Sequence, residues 1–546
     1  MNESIGSYLI RRLGEEGVGH VFGVPGDYVL TFFSQMERSP LKLINTCDEQ
    51  GAGFAADAYA RLKGLGAACI TYCVGGLKIA NAVAQAYAER SPVIVISGAP
   101  GTRERRQNPL LHHKVRAFDT QQKVFAELTA GTAVLDDPES AAGEIDRVLA
   151  LARSTSRPVY IEIPRDMALA EVVPPRKALP ASEISDPETL SVAVAEAAER
   201  IAVAKHPVIL AGEELHRFRL QEPLTELVRK TGIPVAATIM GKSVFPESDP
   251  AYLGVYEGAM GCEATRAYVE SSDCIILLGA LMTDVNLGIY TARIDRRYAV
   301  YAAQDRVAVG FHSYDDVRME DFIRALASQT WQRRGFAPWE HPEHPGPHIP
   351  ADRKITVAAL FRQINHFVNQ DMIVIADPGD ALFGAEDLYI QDGARFLGPA
   401  YYCSLGFAVP AALGVQFAEP KLRPLVLVGD GAFQMTGMEL ASIARYGQNP
   451  IVVVLDNDGY GTERPMLDGK FNDVYRWEYA KIPALLDAGL GLKVESEIEM
   501  EAALATALAN TGSFTLIQVM LERGDHSPAL TRLTTTLAER VAQAKA

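Results

Sequence analysis

The stretch PLVLVGDGAFQMTGMELASIARYGQNPIVVVLDNDGYGTERPMLDGKFND, residues 424–473, decides the fold. Leu425–Val428 and Ile451–Leu455 are short, β-branched apolar runs bounded by turn residues, the pattern of buried strands. Phe433–Tyr446 between them carries a helical pattern that stops at Gly447. Strand, helix and strand in this order predict two parallel strands joined by a right-handed crossover. The first strand runs into Gly429-Asp430-Gly431 and the second into Asp456-Asn457-Asp458-Gly459. Carboxyl ends of adjacent parallel strands are where open α/β sheets bind ligands. A helix N-terminus beside them offers free N–H groups and a positive dipole end, which suits phosphate. Asp430 and Asn457 add hard oxygen donors, which suit Mg2+ holding a phosphorylated cofactor. GDG alone would also suit a nucleotide loop of the general α/β kind.

The same alternation extends outward in both directions. Ser4–Glu16 has helical periodicity, and HVFGVPGDYVLTFF reads as strand, Gly/Pro turn and helix start. Leu43–Thr46 reads as a strand and Asp48–Lys63 as a helix with small residues on one face. CITYCVGGLKIANAVAQAYAERSPVIVISGAPG and PVYIEIP continue the pattern. A second unit has strand candidates at Pro207–Ala211, Pro234–Ala237, Cys274–Leu278 and Ala299–Ala303. MIVIADPGD and FTLIQVML flank the decisive stretch, and Leu530–Ala546 has the pattern of an amphipathic helix. The 546 residues therefore predict an α/β protein with three doubly wound parallel-sheet domains, at 1–170, 190–330 and 354–546. Linkers are expected at 171–189 and 331–353; the second holds His341, His344 and His348, which read as a solvated linker rather than a metal site.

A net charge of −16 argues against nucleic acid and anionic membranes as partners. No apolar run reaches membrane-spanning length. Six cysteines without a CxxC pair point to reduced buried thiols in a cytoplasmic protein.

GDG, QMT and DNDGYG together resemble the thiamine diphosphate signature of the ThDP-dependent enzymes. The resemblance implies Mg2+ held by Asp430, the Asn457 side chain and the Gly459 carbonyl. It implies that Gly379, Asp380, Gly429, Gly431, Ala432, Tyr460 and Gly461 surround the cofactor. CDEQGAGFAADAYAR resembles the helix start of the family's pyrimidine-binding domain, which makes Glu49 the carboxyl that meets the pyrimidine ring. SLGFAVPAALG resembles the segment that supports the bent cofactor, with Leu405 at the matching position. No side-chain nucleophile is needed, because the cofactor carries the hard chemistry.

Asp27 in FGVPGD and the adjacent His112 and His113 in LLHHKVRAFDTQ resemble the acid and double histidine of the pyruvate and indolepyruvate decarboxylase subfamily. Glu463 in DGYGTER falls where that subfamily has its active-site glutamate. These four groups would give and take protons around the reacting carbon. Thr462 and Met466, on the helix expected to carry Glu463, and Met282 or Asp284 from the middle domain are expected to line the substrate pocket. Lys78 and Asp380 depart from the more common pattern, which has a small residue and Ser or Thr at those positions. The resemblance spans essentially the whole chain. It implies non-oxidative decarboxylation of a 2-oxo acid, aromatic or long-chain, such as phenylpyruvate or indole-3-pyruvate, to the aldehyde and CO2. The alternative is a carboligase that forms a 2-hydroxyketone, as acetolactate synthase-like relatives do. A silent ThDP-binding subunit is a third reading, against which the full set of polar residues argues. Self-association to a dimer or tetramer is implied as well.

Overall fold

The computed structural model describes residues 3–173, 184–304, 306–335 and 349–545. These form three α/β domains, each built on its own sheet. In the first, six strands run in the order Lys42–Asn45, His20–Gly23, Gly66–Ile70, Val93–Ala99, Val159–Pro164, Thr132–Val134. Every pairing in it is parallel. In the third, six parallel strands run Arg395–Leu397, Met372–Ala376, Arg423–Gly429, Ile451–Asp456, Thr515–Met520, Leu490–Val494. Inner strands such as Val93–Ala99 and Ile451–Asp456 are buried along their full length, as helices on both faces require.

Strand order reverses between His20–Gly23 and Gly66–Ile70 in the first sheet, and between Met372–Ala376 and Arg423–Gly429 in the third. Such switch points open a crevice at the carboxyl ends. The turns and helix starts that follow these four strands carry Asp27, Cys73-Val74-Gly75, Gly379-Asp380 and Asp430-Gly431.

The second sheet departs from an all-parallel expectation. Its seven strands include Tyr252–Val255 at one edge and an antiparallel pair, Arg306–Val309 and His312–Asp315, at the other. The outermost strand is mostly exposed and polar, so it carries no apolar run that a sequence reading could catch. A second departure lies in the decisive stretch. Phe433–Tyr446 is not one helix but a helix Asp430–Thr436, a 3-10 turn Gly437–Glu439 and a helix Leu440–Arg445. Thr436 leaves helical geometry at φ −141, its hydroxyl donates to the Gly406 carbonyl (2.5 Å), and a glycine follows. His341, His344 and His348 lie outside the described residues.

The chain divides into two compact units, one comprising Met1–Ser182, Tyr402–Lys421 and Thr436–Gln448, the other Glu183–Tyr401, Leu422–Met435 and Asn449–Ala546. The first unit thus takes in the helix Ala408–Ala418 from far along the chain, apolar on nearly every side and almost wholly buried. It packs on the helix Glu49–Lys63, whose residues from Gly51 to Arg61 are all buried. Small residues let the two backbones approach closely: a Cβ at Gly414 would lie 2.0 Å from the Ala55 carbonyl oxygen. Arg61 on the same helix lies between Asp57 (2.8 Å) and Glu89 (2.7 Å), all three buried. A charge so deeply desolvated is tolerated only because it is paired.

Gly414 offers a test of this packing. Alanine gains up to about 1 kcal/mol over glycine inside a helix, whereas forcing a methyl into a filled contact costs about 1–3 kcal/mol. Gly414→Ala is expected to lower the denaturation midpoint, followed by circular dichroism; a raised midpoint would show that the helices separate freely.

Candidate active site

Asp430 starts the helix Asp430–Thr436 directly after the strand Arg423–Gly429, and only 1 % of it is exposed. Its Oδ1 accepts the Gly431 N–H (2.7 Å) and its Oδ2 the Gly459 N–H (2.9 Å). Burial, with the carboxylates of Asp456 and Asp458 nearby, pushes its pKa up to about 7 despite those two bonds. A divalent cation would remove that penalty and hold the carboxylate ionised. Asn457, also buried, stands at the end of the neighbouring strand Ile451–Asp456. Gly459 has φ +128, and a Cβ there would lie 2.0 Å from the Asn472 carbonyl oxygen, so only glycine fits. A Cβ at Gly431 would meet the Tyr460 ring at 2.8 Å. One buried carboxylate, one buried amide and a glycine-shaped turn make a donor set of hard oxygens that fits Mg2+.

Gly379, at φ +107, and Asp380 open the helix Asp380–Glu386 at the same switch point. Asp380 is buried; its Oδ2 accepts the Ser527 N–H (2.8 Å) while its Oδ1 finds no partner among the described residues. Burial raises its pKa above the ordinary carboxylate range. This orphaned oxygen and the free N–H groups of the helix start fit a ligand with donor and anionic groups.

The segment after Gly459 corrects one expectation. Thr462, Glu463 and Met466 stand on consecutive turns, not on a helix. Gly461 and Pro465 bracket Glu463, and proline disfavours helical geometry in the residue before it. The turns close through Glu463 N–H to Tyr460 O (3.2 Å) and Met466 N–H to Glu463 O (3.0 Å). Arg464, which the sequence reading overlooked, is the brace: it bonds Asp468 (2.6 Å), Asp473 (2.8 Å) and the Asp458 carbonyl (3.0 Å). Glu463 is exposed, and so is Met466, while Thr462 is half-buried 3.8 Å from where a Gly379 Cβ would stand. Met282 packs on a side cluster of the second sheet with Tyr256 and Leu277, and Asp284 is exposed in the loop after Cys274–Leu278. Nothing described brings these two to Asp430.

The first unit holds the other candidates. Asp48 caps the helix Glu49–Lys63, its carboxylate accepting the Gly51 N–H (2.7 Å), and this leaves Glu49 in the first turn. The Glu49 side chain is only 12 % exposed and packs against Gly75, at the start of the helix Val74–Ala88. The Lys78 ammonium lies 3.3 Å from Asp48 and 3.7 Å from Glu49. Partial burial opposes its charge, but the two carboxylates outweigh that and raise its pKa. Glu439 was not foreseen. Its Oε1 accepts the N–H groups of Cys47 (2.9 Å) and Asp48 (3.3 Å), and its Oε2 the Ser442 hydroxyl (2.8 Å). It fixes the chain immediately before Glu49, and its one signal in the sequence is a glutamate inside an apolar helical pattern. Leu405 is half-buried in the turn before Ala408–Ala418.

Asp27, His112 and His113 come together, with a ligand atom from each within 4.8 Å of the others. His112 Nε2 lies 2.8 Å from Asp27 Oδ2, and its ring stacks on Tyr28 at 4.8 Å. The Arg165 guanidinium covers the Tyr28 ring at 5.2 Å and lies 3.9 Å from Asp27. His113 holds φ +65, which turns its ring edge-on to His112 at 4.7 Å. Gln121, the last residue of LLHHKVRAFDTQ, is fully buried; its amide donates to Ser97 (2.7 Å) and Tyr160 (2.6 Å) and accepts the Cys73 N–H (2.5 Å). It ties the histidine segment to the turn that begins Val74–Ala88.

Comparison with known proteins agrees with this geometry. The thiamine pyrophosphate enzyme N-terminal TPP binding domain matches residues 3–122, the central domain 194–327 and the C-terminal TPP binding domain 379–519. An indole-3-pyruvate decarboxylase of Azospirillum brasilense is 39 % identical over 96 % of this chain and 96 % of its own. An alpha-keto-acid decarboxylase of Mycobacterium leprae (strain TN) is 34 % identical over 97 % and 95 %, and pyruvate decarboxylase 1 of Pisum sativum 33 % over 96 % and 92 %. The chain belongs to the thiamine diphosphate-dependent 2-oxo acid decarboxylase family.

Removing the Glu439 carboxylate leaves two backbone N–H groups ahead of Glu49 without their acceptor, a loss of about 1–3 kcal/mol. Glu439→Ala is expected to speed hydrogen exchange over Cys47–Ala52 and lower the denaturation midpoint. Glu439→Gln, which keeps an acceptor oxygen, should restore most of both.

Proposed function

We propose that this chain is a carboxy-lyase that, with thiamine diphosphate and Mg2+, converts a 2-oxo acid to an aldehyde and CO2. An aromatic or long-chain substrate such as phenylpyruvate or indole-3-pyruvate suits it best. The observation that carries this reading is the joined set Asp27, His112 and His113, held in the unit that also holds Glu49. Asp430, Asn457 and the Gly459 carbonyl would hold Mg2+, while Gly379, Asp380, Gly429, Gly431, Ala432, Tyr460 and Gly461 would surround the diphosphate. Glu49 would hydrogen-bond the pyrimidine, and Leu405 would support the bent cofactor. When bound, thiamine diphosphate supplies the electron sink for CO2 loss. The chain's own residues then manage protons. The Asp27 carboxylate orients His112 through the 2.8 Å contact, and stacking on Tyr28 fixes the ring plane. His113 and Glu463 are the further proton carriers, and Thr462, Met466, Met282 and Asp284 the candidates for the substrate pocket.

Each chain supplies one Glu49 segment and one Asp430 segment, which supports self-association to a dimer or tetramer as the working form. A net charge of −16 and six free cysteines support a cytoplasmic setting without nucleic acid or membrane partners. Aldehyde assays over pyruvate, branched 2-oxo acids, phenylpyruvate and indole-3-pyruvate test the reaction. Aldehyde should accompany CO2 one to one, fastest with the aromatic acids; 2-hydroxyketone outpacing aldehyde would make the chain a carboligase instead.

Two substitutions divide the roles. Asp430→Ala removes the one charged metal ligand, so calorimetric titration with ThDP and Mg2+ should show binding lost rather than turnover alone. Unchanged affinity would exclude Asp430 from the site. Glu463→Gln should keep cofactor affinity and lower aldehyde formation by about 10²- to 10⁴-fold, the usual worth of one general acid or base. Full turnover in Glu463→Gln, with loss in Asp284→Asn, would transfer the role to Asp284.

A further inference from the structure

The second unit contains a cavity of about 610 Å³, none of whose lining residues is assigned above to the cofactor or the substrate. Small-molecule sites typically span about 300–1,000 Å³. Its apolar wall includes Val255, Ala358, Phe361, Leu388 and Tyr389. Its polar wall is built from groups that differ sharply in whether they are satisfied. Lys242 is buried and paired with Glu247 at 3.0 Å. Arg532 bonds Asp387 (3.0 Å) and the Met260 carbonyl (2.6 Å). The internal cations are thus committed.

Glu386 is not. It lies at the far end of the helix Asp380–Glu386 from Asp380, is 3 % exposed and lines the cavity. Neither of its carboxyl oxygens, nor either oxygen of the fully buried Glu257 beside it, has a hydrogen-bond donor among the described residues other than the acid proton the pair can share. Burial raises both carboxyls, Glu257 more strongly, with Asp387 adding to the effect on Glu386 and Arg532 and Lys242 opposing it. An unpaired buried acceptor costs free energy until a donor reaches it. What these two carboxyls lack is a donor with positive charge, and beside them the wall offers apolar surface.

We propose that this cavity binds a primary ammonium carried on an apolar body of aromatic amino-acid size, with the ammonium on Glu386 and the apolar part against Phe361 and Leu388. The ammonium can belong to a free amine or to an α-amino acid, whose carboxylate would then meet the exposed Arg362 at the cavity wall.

Calorimetry on protein already loaded with ThDP and Mg2+ tests the site without competition from the cofactor crevice. 2-Phenylethylamine and L-phenylalanine are the two probes. Saturable binding of either, near one per chain, is expected. Glu386→Gln keeps the side-chain volume and should weaken it at least tenfold, the loss of a charged hydrogen bond. Ala358→Trp fills the cavity without touching the charges and should remove binding, with unchanged far-UV circular dichroism as the folding control. If Arg362→Ala weakens L-phenylalanine alone, the occupant is the amino acid; if only 2-phenylethylamine binds, it is the free amine. Either result supports the site. No saturable heat from either probe, or equal affinity in Glu386→Gln, overturns it. Because the readout is binding, a failure here leaves the decarboxylase reading intact.

Discussion

Among the described residues, two backbone N–H groups are the donors that reach the buried carboxylate of Asp430. The segment from Asn457 to Asp473 is shaped around that constraint. Gly459 takes a backbone geometry closed to other residues so that its N–H can reach Asp430. Arg464 then gathers Asp458, Asp468 and Asp473, and Arg476 pairs with Asp456 (3.2 Å) and Asp458 (3.0 Å). The acidic residues crowded around the strand ends are thereby neutralised in pairs, except the one at the centre. The buried Asp430 carboxylate is left without a cationic partner among the described residues, and the ordering of the surrounding loop follows from how its two N–H donors are brought to it.

The parallel sheets were legible because their strands are short apolar runs between turn residues, and Cys274–Leu278 and Ala299–Ala303 form at the predicted bounds. The glycine-rich strand ends were legible for the same reason that they function: backbone must approach backbone or ligand closely. What stayed hidden depends on tertiary partners. The break at Thr436 follows from a hydroxyl that finds the Gly406 carbonyl, thirty positions away. Glu439 and Arg464 look like surface charges in a linear reading, yet one is buried against the chain before Glu49 and the other anchors three segments. The helix expected around Glu463 fails because Gly461 and Pro465 outweigh the polar pattern between them.

The histidine cluster combines both cases. Adjacent histidines in LLHHKVRAFDTQ drew notice as a motif, but their arrangement rests on Tyr28, Arg165 and Gln121. An exposed polar contact such as Asp27–His112 contributes only about 0–1 kcal/mol by itself. Its geometry must come from the stacked ring beneath it and from the buried glutamine that ends the segment. Orientation is supplied by packing, and the polar atoms are left exposed.

The antiparallel pair at the margin of the second sheet has a different consequence. A parallel sheet that ended at Ala299–Ala303 would present an open row of N–H and C=O groups along an apolar strand, a template for another chain. The chain instead reverses at Gly310 (φ +59) and lays Arg306–Val309 and His312–Asp315 along that margin. The last strand is four residues long, and its His312 is tied by a 2.9 Å contact to Glu196 on the helix Pro187–Val203. A brief, polar, tethered border offers an incoming strand little length and no apolar face. Growth of a fibre by strand addition along that margin therefore finds little to pair with.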